Sequence, residues 1–496
     1  MRAHRKKPLW TATLVFALLF GVLFSIRTGI FQQGKEQDPI AALSAIENFA
    51  DKNAWMNILQ GDQKIGFSHS SYARTEAGFR FNETVFMRIN TMGMIQDISL
   101  KSNGLLNEDF SLASFSFKVS SGRFDFVAKG SVSDTELSLE TGTPGSMQSL
   151  SMPLQEKIYF TSGIIQAASA GNLSSGDRMT LRVFDPVAMG QESILLSVLG
   201  DEEIQVMDRS VTATKISLEF KGSTQLAWID PNGDILKETG MLGISLEKTT
   251  REKAMYGLPI QPSQDLTDMA SIPANLDIRN PEALSILKAR ITGITDEEVD
   301  LHGRRQTYVD GILTVRRESM KKLPAHINWK VRRWSKNPFL DASPFIQSNH
   351  PAIIKLTTAI TSENDSPLEK ARKIMAWIEK NIKKRPVLSL PDALSTLENR
   401  IGDCNEHAVL FAAMARAAYL PAKVEAGVVY LNGRFFYHAW NLVDLGRSDW
   451  ITADALFNQI PADVTHIRLT SGAQEDQLNI LGLIGKLGIT LLEVTE

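Results

Sequence analysis

Ile401-Gly402-Asp403-Cys404-Asn405-Glu406-His407-Ala408-Val409-Leu410-Phe411-Ala412-Ala413-Met414-Ala415-Arg416 is the stretch on which the reading of this chain turns. Ala408, Leu410, Phe411, Met414 and Ala415 recur at helical spacing, which predicts a helix with Cys404 at or just inside its N-terminus. Unpaired backbone N–H groups and the helix dipole at that end stabilise a thiolate and are expected to lower the thiol pKa. They can also donate to an oxyanion. Upstream, Ser366-Pro367-Leu368-Glu369 is a capping box with proline at the first helical position, and it predicts a helix from Pro367 to about Lys383. Asp392 to Arg400 is read as the loop between the two helices.

Downstream, Val424–Leu431 and Arg434–Val443 read as two strands joined by Asn432-Gly433, a strong hairpin signal. The second carries Tyr437-His438-Ala439-Trp440-Asn441, with His438 34 positions after Cys404. A third strand, Trp450–Asp454, ends on Asp454, 16 positions after His438. Adjacent antiparallel strands can set a His beside an Asp, and the buried face of their sheet can pack on the cysteine helix. Cys404, His438 and Asp454 are therefore expected to form a catalytic triad of nucleophile, base and orienter.

These residues resemble the transglutaminase-like superfamily, a papain-related fold of cysteine enzymes. Gly402-Asp403-Cys404 stands where that family opens its central helix, His438-Ala439-Trp440 where it places its histidine strand, and Asp454 where the next strand ends. The chain departs from the family's pattern after the aspartate, with Ala455-Leu456 where many members carry Pro or a nearby Thr. The resemblance covers about Pro344 to Leu469. It implies an α+β domain and attack by the Cys404 thiolate on an amide carbonyl of a protein or peptide substrate. Water as the acceptor gives a protease or amidase, the favoured outcome, and an amine gives a cross-linker. The alternative is a non-catalytic peptide-binding or scaffolding protein of the cell envelope that uses the same fold. Nothing resembles the calcium site of the animal cross-linking enzymes, and no cofactor is expected.

The single cysteine excludes an intramolecular disulfide, a four-cysteine zinc site and an iron–sulfur cluster held by this chain alone. His407, three positions after Cys404, is read as a hydrogen-bonding wall of the site rather than half of a metal pair, and no metal is expected. Tyr437 and Trp440 are read as packing, with Trp440 also placed to shield the thiol–imidazole pair from water.

From Trp55 to about Lys248 the sequence alternates apolar and polar residues between turn signals. Phe115, Phe117 and Val119, then Ser121-Gly122, then Phe124, Phe126 and Ala128 make one hairpin. Ile216, Leu218 and Phe220 alternate again, and Asp230-Pro231-Asn232-Gly233 turns Trp228-Ile229 into Ile235-Leu236. An extended antiparallel sheet is expected, with Phe79, Phe81, Phe86, Met87, Met92 and Met94 read as its core rather than as a ligand groove. Gln261 to Pro344 reads as a connector with short strands such as Thr307–Val315. Leu478–Val494 is apolar but broken by glycines and Lys486, and reads as a packed helix and strand.

Leu9–Ile26 is an uncharged apolar stretch behind the basic cluster Arg2-Ala3-His4-Arg5-Lys6-Lys7, and it is read as an uncleaved transmembrane helix. The positive-inside rule keeps the basic end in the cytoplasm and puts the bulk of the chain in the periplasm, anchored by a single pass to the inner membrane of a bacterium. A short helical candidate follows at Ile40–Phe49. The first 34 residues hold five of the 53 basic side chains and none of the 56 acidic ones, so the body is acidic and nucleic acid is not an expected partner. Lys321-Lys322, Arg332-Arg333 and Lys383-Lys384-Arg385 are read as solvated charges. The expected organisation is a multidomain α+β chain. It comprises a tail and anchor (1–34), a β-rich extracytoplasmic domain (35–260), a connector (261–343) and a transglutaminase-like domain (344–496). The oligomeric state is not encoded in any of these patterns.

Overall fold

The structure, a computed structural model, describes residues 51–496 apart from 123, 144–145, 161–162, 166–167, 169–173, 187–189, 221, 258–263, 295–298, 321–336, 388–390, 447–449 and 473–481. The expected membrane segment Leu9–Ile26, the helical candidate Ile40–Phe49 and the basic pairs Lys321-Lys322 and Arg332-Arg333 lie outside the described residues. Among the described residues no helix is long and apolar enough to cross a membrane.

Fifteen strands between Lys52 and Thr249 form one sheet. The first, Lys52–Gln60, lies at its centre, between its chain neighbour Gln63–Thr75 and the last strand, Ile244–Thr249. The order is then sequential outward in both directions, ending at Ser146–Pro153 on one side and Tyr159–Phe160 on the other. Both hairpins read from the sequence are present, Leu112–Ser121 with Phe124–Ser133 and Ser223–Ile229 with Ile235–Thr239. Burial alternates residue by residue along strands such as Glu136–Thr143 and Arg178–Asp185, as one buried face requires.

The sheet curls until its edge strand Tyr159–Phe160 lies over the opposite half. Phe160 packs against Phe81 and Phe115 at centroid distances of 5.3 and 5.4 Å, and the Leu112 amide donates to the Ile158 carbonyl at 2.8 Å. The result is barrel-like, with an aromatic core that includes Phe79, Phe81, Phe110 and Phe184. Phe79 and Phe81 are core as expected, Phe86 and Met87 are half-buried, and Met92 at a turn tip is exposed. A cavity of about 430 Å³ remains inside, lined by apolar groups such as Tyr72, Phe117 and Leu218 and by Glu83 and Glu238.

The connector builds a second, four-stranded sheet from Ile286–Thr292, Gln306–Val309, Ile312–Arg316 and the chain's final strand, Gly488–Thr495. The expected strand Thr307–Val315 is in fact a hairpin, because Asp310-Gly311 takes positive φ values of 51° and 77° and turns the chain. The strand expected within Leu478–Val494 is the one that completes this sheet. The helix expected before it falls largely outside the described residues, and of those described residues 482–483 are 3-10 helical and 484–486 form a turn.

The remaining unit packs helices on a sheet. Ser366 caps Pro367–Asn381 as read from the sequence: the Glu369 amide donates to Ser366 Oγ, and the Ser366 amide donates to Glu369 Oε2 at 2.7 Å. Within 392–400, expected to be loop, Ala393–Asn399 forms a short helix capped by Asp392. Helix Cys404–Ala417 is buried from Glu406 to Arg416, the central position expected for a helix apolar on nearly every side. It lies against a sheet in which Arg434–Asp444 pairs along one side with Ala422–Leu431 and along the other with Ile272–Pro273 and Trp450–Ala453. Ile467–Gly472 lies beyond Ala422–Leu431. Phe345 packs in the barrel core and its neighbour Ile346 in the core around the cysteine helix, so consecutive side chains pin the two units together.

Candidate active site

Cys404 opens its helix behind Asp403, whose carboxylate accepts from the Asn405 amide at 2.9 Å while Glu406 Oε2 accepts from the Asp403 amide at 3.0 Å. This capping box fills the helix N-terminus with negative charge. Gly402 is required for it, because a Cβ there would run into the Glu406 side chain. Asn441 Nδ2, on the histidine strand, donates to the Ala408 carbonyl at 3.0 Å and ties sheet to helix. The Cys404 sulfur, half-buried, accepts from the backbone amide of Ala439, the residue after His438.

The strands meet as expected around Asn432-Gly433, both at positive φ. His438 sits opposite Gly427, where a Cβ would strike the Ile467 carbonyl and the Trp440 ring. Asp454 follows the last residue of Trp450–Ala453 and reaches back to the histidine. His438 Nε2 lies 2.6 Å from Asp454 Oδ2, with the two residues 7% and 1% exposed. The other oxygen, Oδ1, accepts from the amides of Leu456 and Phe457 at 2.7 and 3.0 Å. The structure thus gathers Cys404, His438 and Asp454 at one junction of helix and sheet.

A second imidazole, absent from the sequence reading, joins them. His466 Nε2 lies 3.0 Å from the same Asp454 Oδ2, and His466 Nδ1 lies 3.3 Å from Asp463 Oδ1. Asp463 Oδ1 also accepts from the Thr465 amide and hydroxyl at 2.8 and 2.6 Å. No motif flags His466, which precedes the strand Ile467–Gly472 in an unpatterned segment. The available signal was the pair of aspartates, Asp454 and Asp463, close ahead of it.

Burial alone would raise the Asp454 carboxyl, but His438 and His466 outweigh it and hold the group far below the usual carboxylate range. Asp463 behaves alike: burial raises it, and His466 and Thr465 bring it well down. Burial lowers His466, and the two carboxylates reverse this and raise it. Cys404 departs from expectation. Burial pushes its thiol up, the carboxylates of Asp403, Glu406 and Asp454 push it further, and the Ala439 amide opposes them too weakly. Burial first, and the acids of the capping box after it, work against the helix end that was expected to favour a thiolate.

Trp440 is buried as packing and also lines the site. Its ring lies 6.0 Å from that of His438 and edge-on to His466 at 5.2 Å, and its Nε1 donates to buried Glu425 at 3.0 Å. Phe457 stacks on the other side of His438 at 5.0 Å. His407 hydrogen-bonds through Nδ1 to the Asp403 carbonyl at 2.7 Å, the wall role expected of it. Tyr437 is half-buried, and burial pushes its hydroxyl up to about 12. Ligand atoms of His438, Asp454 and His466 lie within 4.8 Å of one another, a spacing a metal could use. The hydrogen bonds among them already account for that approach.

Residues 354–455 match the family model of the transglutaminase-like superfamily, so the C-terminal part of the chain carries a transglutaminase-like domain. The match takes in Cys404, His438 and Asp454 and stops before His466. Among solved structures, a candidate cysteine protease from Cytophaga hutchinsonii is similar at 18% identity over 43% of this chain and 84% of that one, with a TM-score of 0.28. A β-barrel-like protein of unknown function from Brucella abortus is similar at 10% identity over 41% of this chain and 97% of that one, with a TM-score of 0.32. The periplasmic domain of TgpA from Pseudomonas aeruginosa is similar at 14% identity over 39% of this chain and 91% of that one, with a TM-score of 0.23. No curated protein matches the chain.

Proposed function

We propose that this protein is a cysteine enzyme of the cell envelope that cleaves amide bonds in proteins or peptides through Cys404, His438 and Asp454. The observation that carries the reading is the buried 2.6 Å contact of His438 with Asp454, beside a sulfur that touches the amide of Ala439. His438 spends Nε2 on Asp454, so Nδ1 is the nitrogen left to take the thiol proton. Burial and the nearby carboxylates push the thiol up, so that transfer accompanies attack. The S–C bond forms as the proton moves to His438, and the carbonyl electrons pass to oxygen. Collapse of this adduct expels the amine, which takes the proton back from His438, and leaves a thioester on Cys404. Water then attacks the thioester, again deprotonated by His438, and releases the acid and the thiol. Water as acceptor makes the protein a protease or amidase.

The uncharged segment Leu9–Ile26 behind its basic cluster supports a single-pass anchor that leaves the catalytic domain on the periplasmic side. Proteolysis of intact spheroplasts checks this: the domain is expected to be digested from outside, and protection until lysis would contradict it. The chemistry is tested by mixing the full chain with p-nitrophenyl acetate and reading intact mass. A single acetyl group on Cys404, formed about 100-fold more slowly in His438→Ala, is expected. No adduct on the wild-type sulfur would favour the non-catalytic, peptide-binding role.

A further inference from the structure

We propose that His466 is a permanently charged imidazolium that holds Asp454 in place and offsets its charge, and so sets the pH range in which Cys404 and His438 react. The proposal rests on the enzymatic reading above and adds to it a positioning residue beyond the three already described.

The geometry fixes the protonation of this ring. His466 is fully buried, and both of its nitrogens face carboxylate oxygens, Asp454 Oδ2 at 3.0 Å and Asp463 Oδ1 at 3.3 Å. A neutral imidazole would turn a bare lone pair toward one of two buried anions. A doubly protonated ring donates to both, and a buried charge in this position is paired on each side. Asp463 is itself fixed by the Thr465 amide and hydroxyl, so the ring has a rigid second support. The His466 carbonyl accepts from Arg305 Nη2 at 2.9 Å, which fastens the backbone to the connector.

The consequence for the reacting pair is electrostatic. Asp454 Oδ2 receives N–H groups from His438 and His466 together, and the two rings lie 5.6 Å apart at 59°. A cation there works against a second positive charge on His438 and favours the thiolate on Cys404. Either way it eases loss of the first proton from the thiol–imidazole pair. The other charged or titratable groups around the cluster are Arg305 with its partner Glu318, Glu425 with Arg468 behind Trp440, and Asp403, Glu406 and His407 on the cysteine helix. None of these touches Asp454 directly in the hydrogen bonds described, whereas His466 does. Trp440 and Phe457 pack edge-on to the His466 ring and keep the contact dry.

Two readings of the full chain test this. The first is the pH profile of Cys404 acylation by p-nitrophenyl acetate in His466→Gln, which keeps an N–H toward Asp454 but no charge, and in Asp463→Asn, which removes the support for that charge. The acid limb is expected to move up by about one pH unit in His466→Gln and by less in Asp463→Asn. A merely structural role would lower the rate without moving the limb, and an unmoved limb in both variants overturns the proposal. The second reading needs no chemistry at Cys404. In histidine-labelled protein the His466 ring is expected to keep the nitrogen shifts of an imidazolium up to pH 8, and a ring that turns neutral near pH 6.5 overturns the proposal. If the wild-type sulfur is never acylated while His466 stays charged, the enzymatic reading fails and the ion cluster stands. If acylation depends on His438 but the limb does not move, the role of His466 fails alone.

Discussion

Glu238 in the barrel-like sheet and Asp454 beside the histidine strand are two carboxyl groups drawn out of bulk water, and their surroundings drive them in opposite directions. Glu238 borders the cavity. Burial and then the charge of Glu83 together raise it to about 7, against Gln225 Nε2, which donates at 2.7 Å. Asp454 is buried more deeply than the half-buried Glu238 but receives four donors, two backbone amides and two imidazoles, and stays ionised. Burial alone therefore says little about the charge of an acid, and the donors aimed at it decide. The barrel gives Glu238 too few donors to hold it in the usual carboxylate range, while the sheet of the transglutaminase-like domain is built around a fixed anion.

The sharpest break of this contrast is Asp454→Ala. It removes the anion and leaves the His466 ring facing Asp463 alone, so the transglutaminase-like domain is expected to lose about 3–5 kcal/mol and the proposed acylation activity. The barrel should melt as before, which denaturation followed by fluorescence and limited proteolysis reads separately for the two units. The reciprocal change is Phe160→Ala, which empties the ring seat between Phe81 and Phe115. It is expected to cost the barrel about 3–4 kcal/mol, with Cys404 acylation within twofold of wild type. Loss of acylation in that variant would show that the two units are not independent.

A smaller effect sharpens the catalytic side. Gly427→Ala drives a methyl group into the Ile467 carbonyl and the Trp440 ring, and is expected to cost about 1–3 kcal/mol and to slow acylation by disturbing the strand opposite His438. The smallest effect is on pH. Glu238 is raised in the folded barrel, so the stability it leaves intact below pH ~4.5 is lost as pH rises toward 7. After allowance for water in the cavity, the loss is about 1 kcal/mol. Barrel stability measured at pH 5 and pH 8 should differ by that amount in the wild type and by less in Glu238→Gln. An equal difference in both would assign the slope to other groups.

The transglutaminase-like region was the more legible of the two because its signals are local. Asn432-Gly433 sets the hairpin, the Ser366 box sets a helix start, and Cys404, His438 and Asp454 fall where those elements place them. Alternation also exposed the strands of the barrel. Its closure rests on Trp55 facing Thr249 and on Phe160 reaching Phe81, contacts between distant segments that no short pattern records. The final strand, Gly488–Thr495, joins the connector sheet for the same reason. His466 escaped because its partners, Asp454 and Asp463, come together only through the turn after Trp450–Ala453. The Cys404 thiol is pushed up rather than down chiefly because of its burial, which tertiary packing decides, and then because the acids of the capping box, legible only as helix signals, set charges beside the sulfur.

The central claim is that His438 activates Cys404, and the rate of alkylation of this single thiol by iodoacetamide tests it most directly. Burial and three nearby carboxylates push this thiol up, so without an imidazole to take its proton the sulfur is expected to react more slowly than a free cysteine. Wild-type labelling at pH 7 is expected to be about 100-fold faster than in His438→Ala. Equal rates in the two proteins would contradict the account.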